Sequence, residues 1–236
     1  MASNAFKNQA IKKPGQPHKS PRPRLFVFDW DGTLMDSERQ IVHCMQMAAI
    51  ELKLVVPARD EVRSIIGLGL PEAILRIFPA CNQETRERIR HAYVRHFVAE
   101  AGGRCEMFPG AMGLLQELRE GGYLLAVATG KSRLGLDRML GQIGLINFFD
   151  ATRCADETAS KPDPLMLNEI LAALSVFPAE AVMIGDTTFD LEMAERMNMR
   201  RIGVAHGVHS TLALQVHEPV AIVADIPALA ECLASL

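Results

Sequence analysis

The chain has 236 residues, of which 49% are hydrophobic and 22% charged, and this composition is typical of a globular protein with a substantial apolar core. Its formal net charge of −3 argues against nucleic acid or an anionic membrane surface as the main partner. No apolar run approaches the roughly 18 residues that a membrane-spanning helix needs, so we expect no membrane segment.

Five cysteines are dispersed along the chain, with neither a CxxC pair nor the Cys and His spacing of a zinc site. Such an odd, scattered set is typical of free thiols in a reducing compartment, so we expect a cytoplasmic protein. Residues 1–24 differ from the rest because they hold six Lys or Arg, four Pro and no Asp or Glu. Without apolar periodicity, this segment is predicted to be a flexible, basic, solvated tail and not a secretory signal.

Regular patterning begins with LFVF (25–28), which is continuously apolar, as expected of a strand covered on both faces. Residues 36–106 then show helical spacing of apolar positions throughout. The first of these helices is predicted at 36–54, with Asp36 or Ser37 as its N-cap.

After residue 107, predicted strands alternate with predicted helices, which is typical of βαβ units in a parallel sheet. The predicted strands lie at 123–129, 149–154, 181–186, 201–205 and 221–225, and the predicted helices at 110–120, 132–143, 164–174, 189–197 and 227–236. The pattern therefore predicts an α/β fold, with a Rossmann-like doubly wound parallel sheet core and an inserted all-helical cap domain. The expected division is the tail (1–24), the core (25–35 and 107–236) and the helical segment (36–106).

Polar residues follow three of the predicted strands. Asp29 ends the first strand, and Asp31 follows two positions later. Thr129 ends another strand and is followed by Gly130, while Asp186 ends a third. Because sites in open parallel sheets lie at the carboxyl ends of the strands, we expect these residues to gather in one place.

Two further residues join this group by local arguments. If a helix starts near Thr187, Asp190 lies about one turn from Asp186 on the same side. Lys161 precedes Pro162 and is therefore pushed towards extended backbone, while Asp163 suits an N-cap and Pro164 the first helical position. Lys161 would then sit just ahead of a helix N-terminus, where an anion is favoured.

Several acids, one lysine, one hydroxyl and glycine-rich turns together suit a phosphate group bridged by Mg2+. Hard oxygen ligands favour Mg2+, which usually takes one or two carboxylates together with substrate oxygens. A cation is also needed because a carboxylate that approaches a phosphate dianion is repelled by it.

Four motifs then carry a resemblance to a known family. DWDGTL resembles the first motif of the haloacid dehalogenase superfamily of phosphohydrolases, VATGKS its second, SKPDP its third and GDTTFD its fourth. They occur in the family's order, and with the inserted helical cap the resemblance covers residues 25–234. It is closest to the phosphoglycolate-phosphatase-like branch. One departure is Met197-Asn198-Met199, where relatives often have AGM; Asn198 can still adopt the left-handed C-cap conformation.

The resemblance implies a role for each motif residue. Asp29 would be the nucleophile that forms an aspartyl-phosphate, and Asp31 the general acid and then the base that activates water. Asp29, Asp186 and the backbone carbonyl of Asp31 would bind Mg2+. The remaining implied roles are phosphate binding by Thr129, Gly130 and Lys161, and support of the metal site by Asp190.

The loop GLGLPE (67–72) is interpreted as a cap loop that closes over the substrate, with Arg63 as a possible substrate contact; a plain turn between helices is the alternative. His206 and His209 follow a strand and either rim the site or belong to a surface loop.

The expected partner is a small phosphorylated metabolite, phosphoglycolate-like or a sugar phosphate. We expect a monomer, with a dimer as the alternative.

The sequence also allows alternatives to a phosphatase. A sugar-phosphate mutase of the beta-phosphoglucomutase type would return the phosphoryl group to a sugar. A phosphonate hydrolase would need a lysine from the cap, where residues 36–106 offer only Lys53. A dehalogenase would have no use for Asp31. A receiver domain phosphorylated on aspartate would not need Asp31 or the inserted helices.

Overall fold

The computed structural model describes residues 22–99 and 105–236. The prediction of a flexible tail concerns residues 1–24, most of which lie outside the described residues. A six-stranded parallel sheet forms the centre of the fold, with strand order β5-β4-β1-β6-β7-β8. The strands are β1 (Leu25–Phe28), β4 (Leu124–Thr129), β5 (Ala151–Cys154), β6 (Ala181–Gly185), β7 (Arg200–Val204) and β8 (Ala221–Val223).

Alternating side chains of β1 enter the two apolar layers that cover the sheet. Phe26 and Phe28 belong to one layer, and Leu25 and Val27 to the other, as the two-residue period of a strand requires. The first layer is completed by α5 (Ala111–Glu120), α6 (Arg133–Gln142) and α10 (Ile226–Ala234), and the second by α7 (Leu165–Leu174) and α8 (Thr188–Glu195). The predicted doubly wound parallel sheet is therefore confirmed.

The segment between β1 and β4 contributes a further apolar cluster. It is built by α1 (Glu38–Glu51), α2 (Arg59–Arg63), α3 (Leu70–Ile77) and α4 (Gln83–Ala99), and Phe189 of α8 also belongs to it. The sequence predicted helical structure throughout residues 36–106, and this prediction is wrong at both ends of the segment. Its two connections to the core pair as a short antiparallel ribbon, β2 (Met35–Asp36) and β3 (Glu106–Met107). The division into core and cap domains stays a prediction.

Two predicted helix starts need correction. Ser37 precedes α1, but its backbone is helical and its side chain caps nothing; the hydroxyl donates to Asp31 instead. Helix α7 begins at Leu165, so Pro164 precedes it and is not its first residue. The helix thus begins one position later than predicted, although the Asp163 carboxylate still accepts a hydrogen bond from the Leu165 N–H at 2.9 Å.

The turn after α8 follows the prediction. Asn198 has φ +51°, in the left-handed region that asparagine tolerates better than most residues. A short helix, α9 (Thr211–Gln215), was not predicted. No helix within the described residues is both long and apolar enough to cross a membrane.

Candidate active site

The site is assembled where β1 and its two neighbours end. Pairing of β1 with β4 sets Phe28 opposite Val127, and pairing with β6 sets Phe28 opposite Ile184. The Asp29 N–H continues the ladder with a 2.9 Å hydrogen bond to the Ile184 carbonyl. Asp29, Thr129 and Asp186 therefore leave the sheet at the same edge, as the sequence predicted from the strand ends.

Lys161 lies between two of the acids. Its ammonium group donates to Oδ1 of Asp29 and, at 2.6 Å, to Oδ1 of Asp190. All three side chains are buried. A lysine can remain in such a place only because carboxylates compensate for its lost hydration. In the structure, the anions paired with Lys161 are the carboxylates of Asp29 and Asp190.

The start of α8 fixes Asp190. Its Oδ2 accepts hydrogen bonds from the Thr187 N–H at 3.1 Å and from the Thr187 hydroxyl at 2.7 Å, which forms a capping arrangement at the helix N-terminus. The other oxygen is left to meet Lys161. Asp190 therefore has two structural roles: one oxygen pairs with Lys161, and the other caps the start of α8.

Asp186 is held by two donors from opposite sides. The Thr33 hydroxyl donates to its Oδ1 at 2.9 Å, and the Val208 N–H donates to its Oδ2 at 2.9 Å. Neither donor was recognised in the sequence, although Thr33 stands in the quoted DWDGTL motif. Both come from loops that fold back over the strand ends.

Glycines allow these loops to approach so closely. A Cβ atom on Gly32, which has φ +89°, would lie 2.3 Å from Oδ2 of Asp186, and one on Gly207 would lie 2.2 Å from the same atom. Contacts this short do not occur in folded proteins, so any larger residue would displace the carboxylate or its loop. The two glycines therefore determine where Asp186 can lie.

Three carboxylates form a group that could hold a metal ion. Oxygen atoms of Asp29, Asp186 and Asp190 all lie within 4.8 Å of one another. Within residues 22–99 and 105–236, Lys161 supplies the one ammonium group bonded to these carboxylates, and Oδ2 of Asp29 is buried without a hydrogen-bond partner. Buried negative charge in excess of its counter-charge is unfavourable, and a hard divalent cation would neutralise it.

The pKa values reflect this excess. Burial raises the pKa of Asp29 well above its usual range, against the opposing effect of Lys161. Burial and the nearby charge of Asp190 raise the pKa of Asp186 to about 7. For Lys161, burial alone would lower the pKa, but Asp190 and Asp29 outweigh it and raise the pKa above its usual range. The lysine is therefore charged, and the site without a cation holds protons that a cation would displace.

Asp31 is oriented by two residues, Ser37 and Lys131, that the sequence analysis did not assign to the site. The Ser37 hydroxyl donates to its Oδ1 at 2.6 Å, and Nζ of Lys131 lies 3.0 Å from the same oxygen. The Lys131 ammonium group also lies over the ring of Phe97, 4.7 Å from the centroid. The available sequence signal was position: Lys131 follows Gly130 directly, and Ser37 lies just beyond the first motif.

The helical segment covers the site through one loop. Thr129 is buried, and its hydroxyl oxygen accepts from the Lys131 N–H at 3.1 Å. A Cβ on Gly130 would lie 2.4 Å from the Leu68 carbonyl oxygen, so only glycine fits beneath this loop. The Gly69 N–H donates to the Ser160 hydroxyl at 2.8 Å. Residues 67–69 thus lie directly over two of the predicted phosphate-binding segments.

Arg63 and the two histidines lie elsewhere than at the centre. Arg63 pairs with Glu38 at 3.2 Å and donates to the Val208 carbonyl at 3.2 Å, and it is not among the residues that line the cavity. His206 contacts the Thr33 carbonyl at 3.1 Å. Nδ1 of His209 accepts from the Thr188 N–H at 3.0 Å. These three side chains support the loops around Asp186, and a substrate contact by Arg63 gains no support here.

A cavity of about 120 Å³ lies between the strand ends and the helical segment. Asp29, Asp31, Gly130 and Lys131 form part of its wall on the core side. Doubly wound sheets place their ligands at this edge. Fold and site together are typical of an enzyme: Asp29 and Asp31 face a small covered cavity at the carboxyl edge of a parallel sheet.

Known proteins that resemble this chain are also enzymes. The sequence matches the haloacid dehalogenase-like hydrolases over residues 26–204. It is 35% identical over 205 residues to the "Probable phosphatase IndB" of Dickeya dadantii, which covers 84% of this chain and 88% of that protein. It is 27% identical over 218 residues to a phosphoglycolate phosphatase of Agrobacterium fabrum, with 90% and 93% covered.

Among solved structures, a hydrolase from Pseudomonas syringae superposes with a TM-score of 0.82 at 21% identity, covering 92% of this chain and 99% of that one. At this identity the similarity concerns the fold. The chain belongs to the haloacid dehalogenase-like hydrolases. The resemblance predicted from the four motifs is therefore confirmed.

Proposed function

We propose that the protein is a Mg2+-dependent phosphatase that hydrolyses a small phosphomonoester through an aspartyl-phosphate on Asp29. The observation that carries the proposal is the buried group of Asp29, Asp186 and Asp190. Lys161 is bonded to two of these acids, Asp29 and Asp190, and Asp29 lines the cavity together with Asp31. The relatives named phosphatase IndB and phosphoglycolate phosphatase support the same reaction class.

The metal would be held by Asp29, Asp186 and the backbone carbonyl of Asp31, with Asp190 supporting the site. When bound, Mg2+ would neutralise the carboxylates and the phosphate oxygens that approach them. The donor set consists of hard oxygen atoms, and the unpartnered Oδ2 of Asp29 is available to it. The raised pKa of Asp186 fits a group that loses its proton when a cation arrives.

In the first step, a carboxylate oxygen of Asp29 attacks phosphorus, and the bond from phosphorus to the ester oxygen breaks. Asp31, in its acid form, donates a proton to that departing oxygen, and the alcohol leaves. Lys161, the Thr129 hydroxyl and the Gly130 backbone would hold the phosphoryl oxygens during transfer. Positioning and charge stabilisation supply most of the acceleration in phosphoryl transfer.

In the second step, water attacks the aspartyl-phosphate. Asp31, now a carboxylate, accepts the proton of this water, and the bond from phosphorus to Asp29 breaks to release inorganic phosphate. Splitting the hydrolysis into two displacements is the general advantage of a covalent intermediate. Ser37 and Lys131 both hold Oδ1 of Asp31, so Oδ2 is the oxygen that would exchange the proton.

The test is a panel of phosphomonoesters assayed with Mg2+ and with EDTA. We expect phosphate release that requires Mg2+ and is abolished in Asp29→Asn. Activity that persists in Asp29→Asn, or that needs no divalent cation, would refute the mechanism. Analysis of the organic product separates a phosphatase from a mutase, because a mutase returns the phosphoryl group to a sugar.

A further inference from the structure

The cavity above Asp29 has walls of different chemistry. The core side supplies the charged and polar groups that serve the phosphate, including Asp29, Asp31 and Lys131. The side facing them comes from the helical segment, and its lining includes Ile41, Met45, Ile66, Leu68, Val94 and Phe97. The organic part of a substrate must lie against this second wall, because the phosphate takes the first.

This second wall offers few hydrogen-bond partners. Among the described residues of the helical segment that line the cavity, only Tyr93 brings a polar side-chain group. Two polar groups of the core side are already engaged: Lys131 pairs with Asp31 at 3.0 Å, and the Ser132 hydroxyl accepts from the Gly135 N–H at 3.2 Å. A substrate hydroxyl placed here would give up its hydrogen bonds to water, at roughly a tenfold loss of affinity each.

The mouth of the cavity is apolar as well. Val94 and Val98 of α4 are 38% and 40% exposed, and Leu134 of α6 is 68% exposed, yet all three line the same cavity. Single exposed apolar residues are ordinary, but several around one opening from two separate helices indicate a site for an apolar group.

Arg138 favours a different class of substrate, one that carries a carboxylate. It lines the cavity from α6, and within the described residues no ion pair is recorded for it. A guanidinium group at this place could take a substrate carboxylate, such as that of phosphoglycolate. A single cation on the core wall does not change the apolar character of the opposite wall, so preference for a substrate that carries a carboxylate is the competing outcome of the test.

We propose that the preferred substrate is the phosphate monoester of a small apolar alcohol, whose carbon skeleton packs against the helical segment between α1 and α4. This inference rests on the proposed phosphatase function and narrows it, because it disfavours the sugar phosphates and phosphoglycolate that the sequence suggested. The reaction is unchanged: the ester bond from phosphorus to oxygen breaks, and the apolar alcohol leaves with the proton of Asp31.

The decisive comparison uses cyclohexylmethyl phosphate and glucose 6-phosphate. Both are esters of a primary alcohol that carries a six-membered ring, so leaving-group chemistry and size are closely matched while polarity differs. We expect kcat/KM to be at least about 30-fold higher for cyclohexylmethyl phosphate, mainly through a lower KM, since the difference arises in binding. Phosphoglycolate, the third substrate, should also be used less well.

A pair of isosteric substitutions tests the wall directly. Val94→Thr replaces one methyl group at the cavity with a hydroxyl and should reduce the preference for cyclohexylmethyl phosphate by about threefold to tenfold. Val55→Thr makes the same change at a residue that is 89% exposed and does not line the cavity, and should leave the preference unaltered. Both sites are partly or fully solvent-exposed, so both proteins should fold.

The outcomes separate the two proposals. The substrate inference is wrong if kcat/KM for glucose 6-phosphate or for phosphoglycolate equals or exceeds that for cyclohexylmethyl phosphate. If that reaction needs Mg2+ and Asp29, the phosphatase function still stands. If Arg138→Ala also abolishes the hydrolysis of phosphoglycolate, the preferred substrate is one whose carboxylate binds Arg138. If no ester is hydrolysed, or Asp29→Asn remains active, the proposed function fails and the substrate inference fails with it.

Discussion

Nζ of Lys131 lies 3.0 Å from Oδ1 of Asp31, and the side chains of both residues are about 10% exposed. The same ammonium group lies over the ring of Phe97, which belongs to α4 of the helical segment. Lys131 therefore connects the acid that would move the proton with the segment that covers it. A general acid contributes only when its oxygen is within reach of the proton acceptor, so loss of this contact should affect the reaction itself.

We accordingly expect Lys131→Met to lower kcat by about 10-fold to 100-fold with little change in KM. Lys131→Arg keeps the positive charge and should recover part of the loss, which a packing defect alone would not do. The measurement is steady-state kinetics on one phosphomonoester for the three proteins. Equal losses in the methionine and arginine variants would contradict the positioning role.

Replacement of Lys161 by methionine should have larger consequences. It leaves Asp29 and Asp190 buried without their shared cation, and breaking a buried ion pair typically destabilises a protein by about 3–5 kcal/mol. We expect a fall of this order in the free energy of unfolding, measured with urea, together with loss of activity by more than about 1,000-fold.

Lys53→Met provides the control for Lys161→Met. Lys53 is exposed and lies at the end of α1, away from the acids. Its loss should change the free energy of unfolding by less than about 0.5 kcal/mol, as is usual for surface substitutions. A comparable destabilisation in both variants would show that the ion pairs of Lys161 with its two carboxylates do not stabilise the folded protein.

The raised pKa of Asp186 predicts how stability depends on pH when no metal is bound. Because the pKa is about 7 in the folded protein and near 4 in an unfolded chain, the folded state binds more protons between these values. The metal-free protein should therefore lose stability as pH rises from about 4 to 7. Asp186→Asn should lose less over this range, since an amide does not titrate.

Added Mg2+ should reverse the trend. Cation binding requires deprotonated carboxylates, so the rise in Tm caused by Mg2+ should increase with pH in the wild-type protein. The same addition should barely move the Tm of Asp186→Asn. Thermal unfolding at several pH values, in EDTA and in Mg2+, measures both effects. An Mg2+-induced shift that stayed constant across pH would speak against displacement of protons from this group.

Gly207 offers a steric test of the same carboxylate. An alanine Cβ at this position would lie 2.2 Å from Oδ2 of Asp186, so Gly207→Ala must move the side chain or the loop. We expect destabilisation of about 1–3 kcal/mol and weaker Mg2+ binding, measured by denaturation and by titration. Gly113→Ala in α5, where a Cβ meets nothing within 4 Å, should instead be neutral or stabilise by up to about 1 kcal/mol.

Much of the architecture could be predicted because it depends on local patterns. Continuous apolar runs indicated the buried strands, and the rule that sites lie at strand ends predicted Asp29, Thr129 and Asp186 at one edge of the sheet. The turn at Asn198 likewise followed from a conformational preference of a single residue type.

The remainder depends on contacts between distant segments. Ser37 has the chemistry of an N-cap, and only the tight turn after β1 brings its hydroxyl to Asp31 instead. The ribbon of β2 and β3 has two residues in each strand, too few for any periodic signal. Arg63 was predicted as a possible substrate contact because it precedes the loop at 67–72, and its observed partners, Glu38 and the Val208 carbonyl, are distant in sequence and carried no local signal.

Phe189 and Asp190 are neighbours on α8, but they belong to different parts of the molecule. The phenylalanine ring is buried among the side chains of the inserted helices, while the aspartate side chain is bonded to Lys161. One peptide unit thus joins the apolar interior of the covering segment to the charged floor of the site. Packing of the inserted helices against this ring and placement of the lysine's counter-ion therefore depend on the same turn of α8, so a substitution at Phe189 should disturb both.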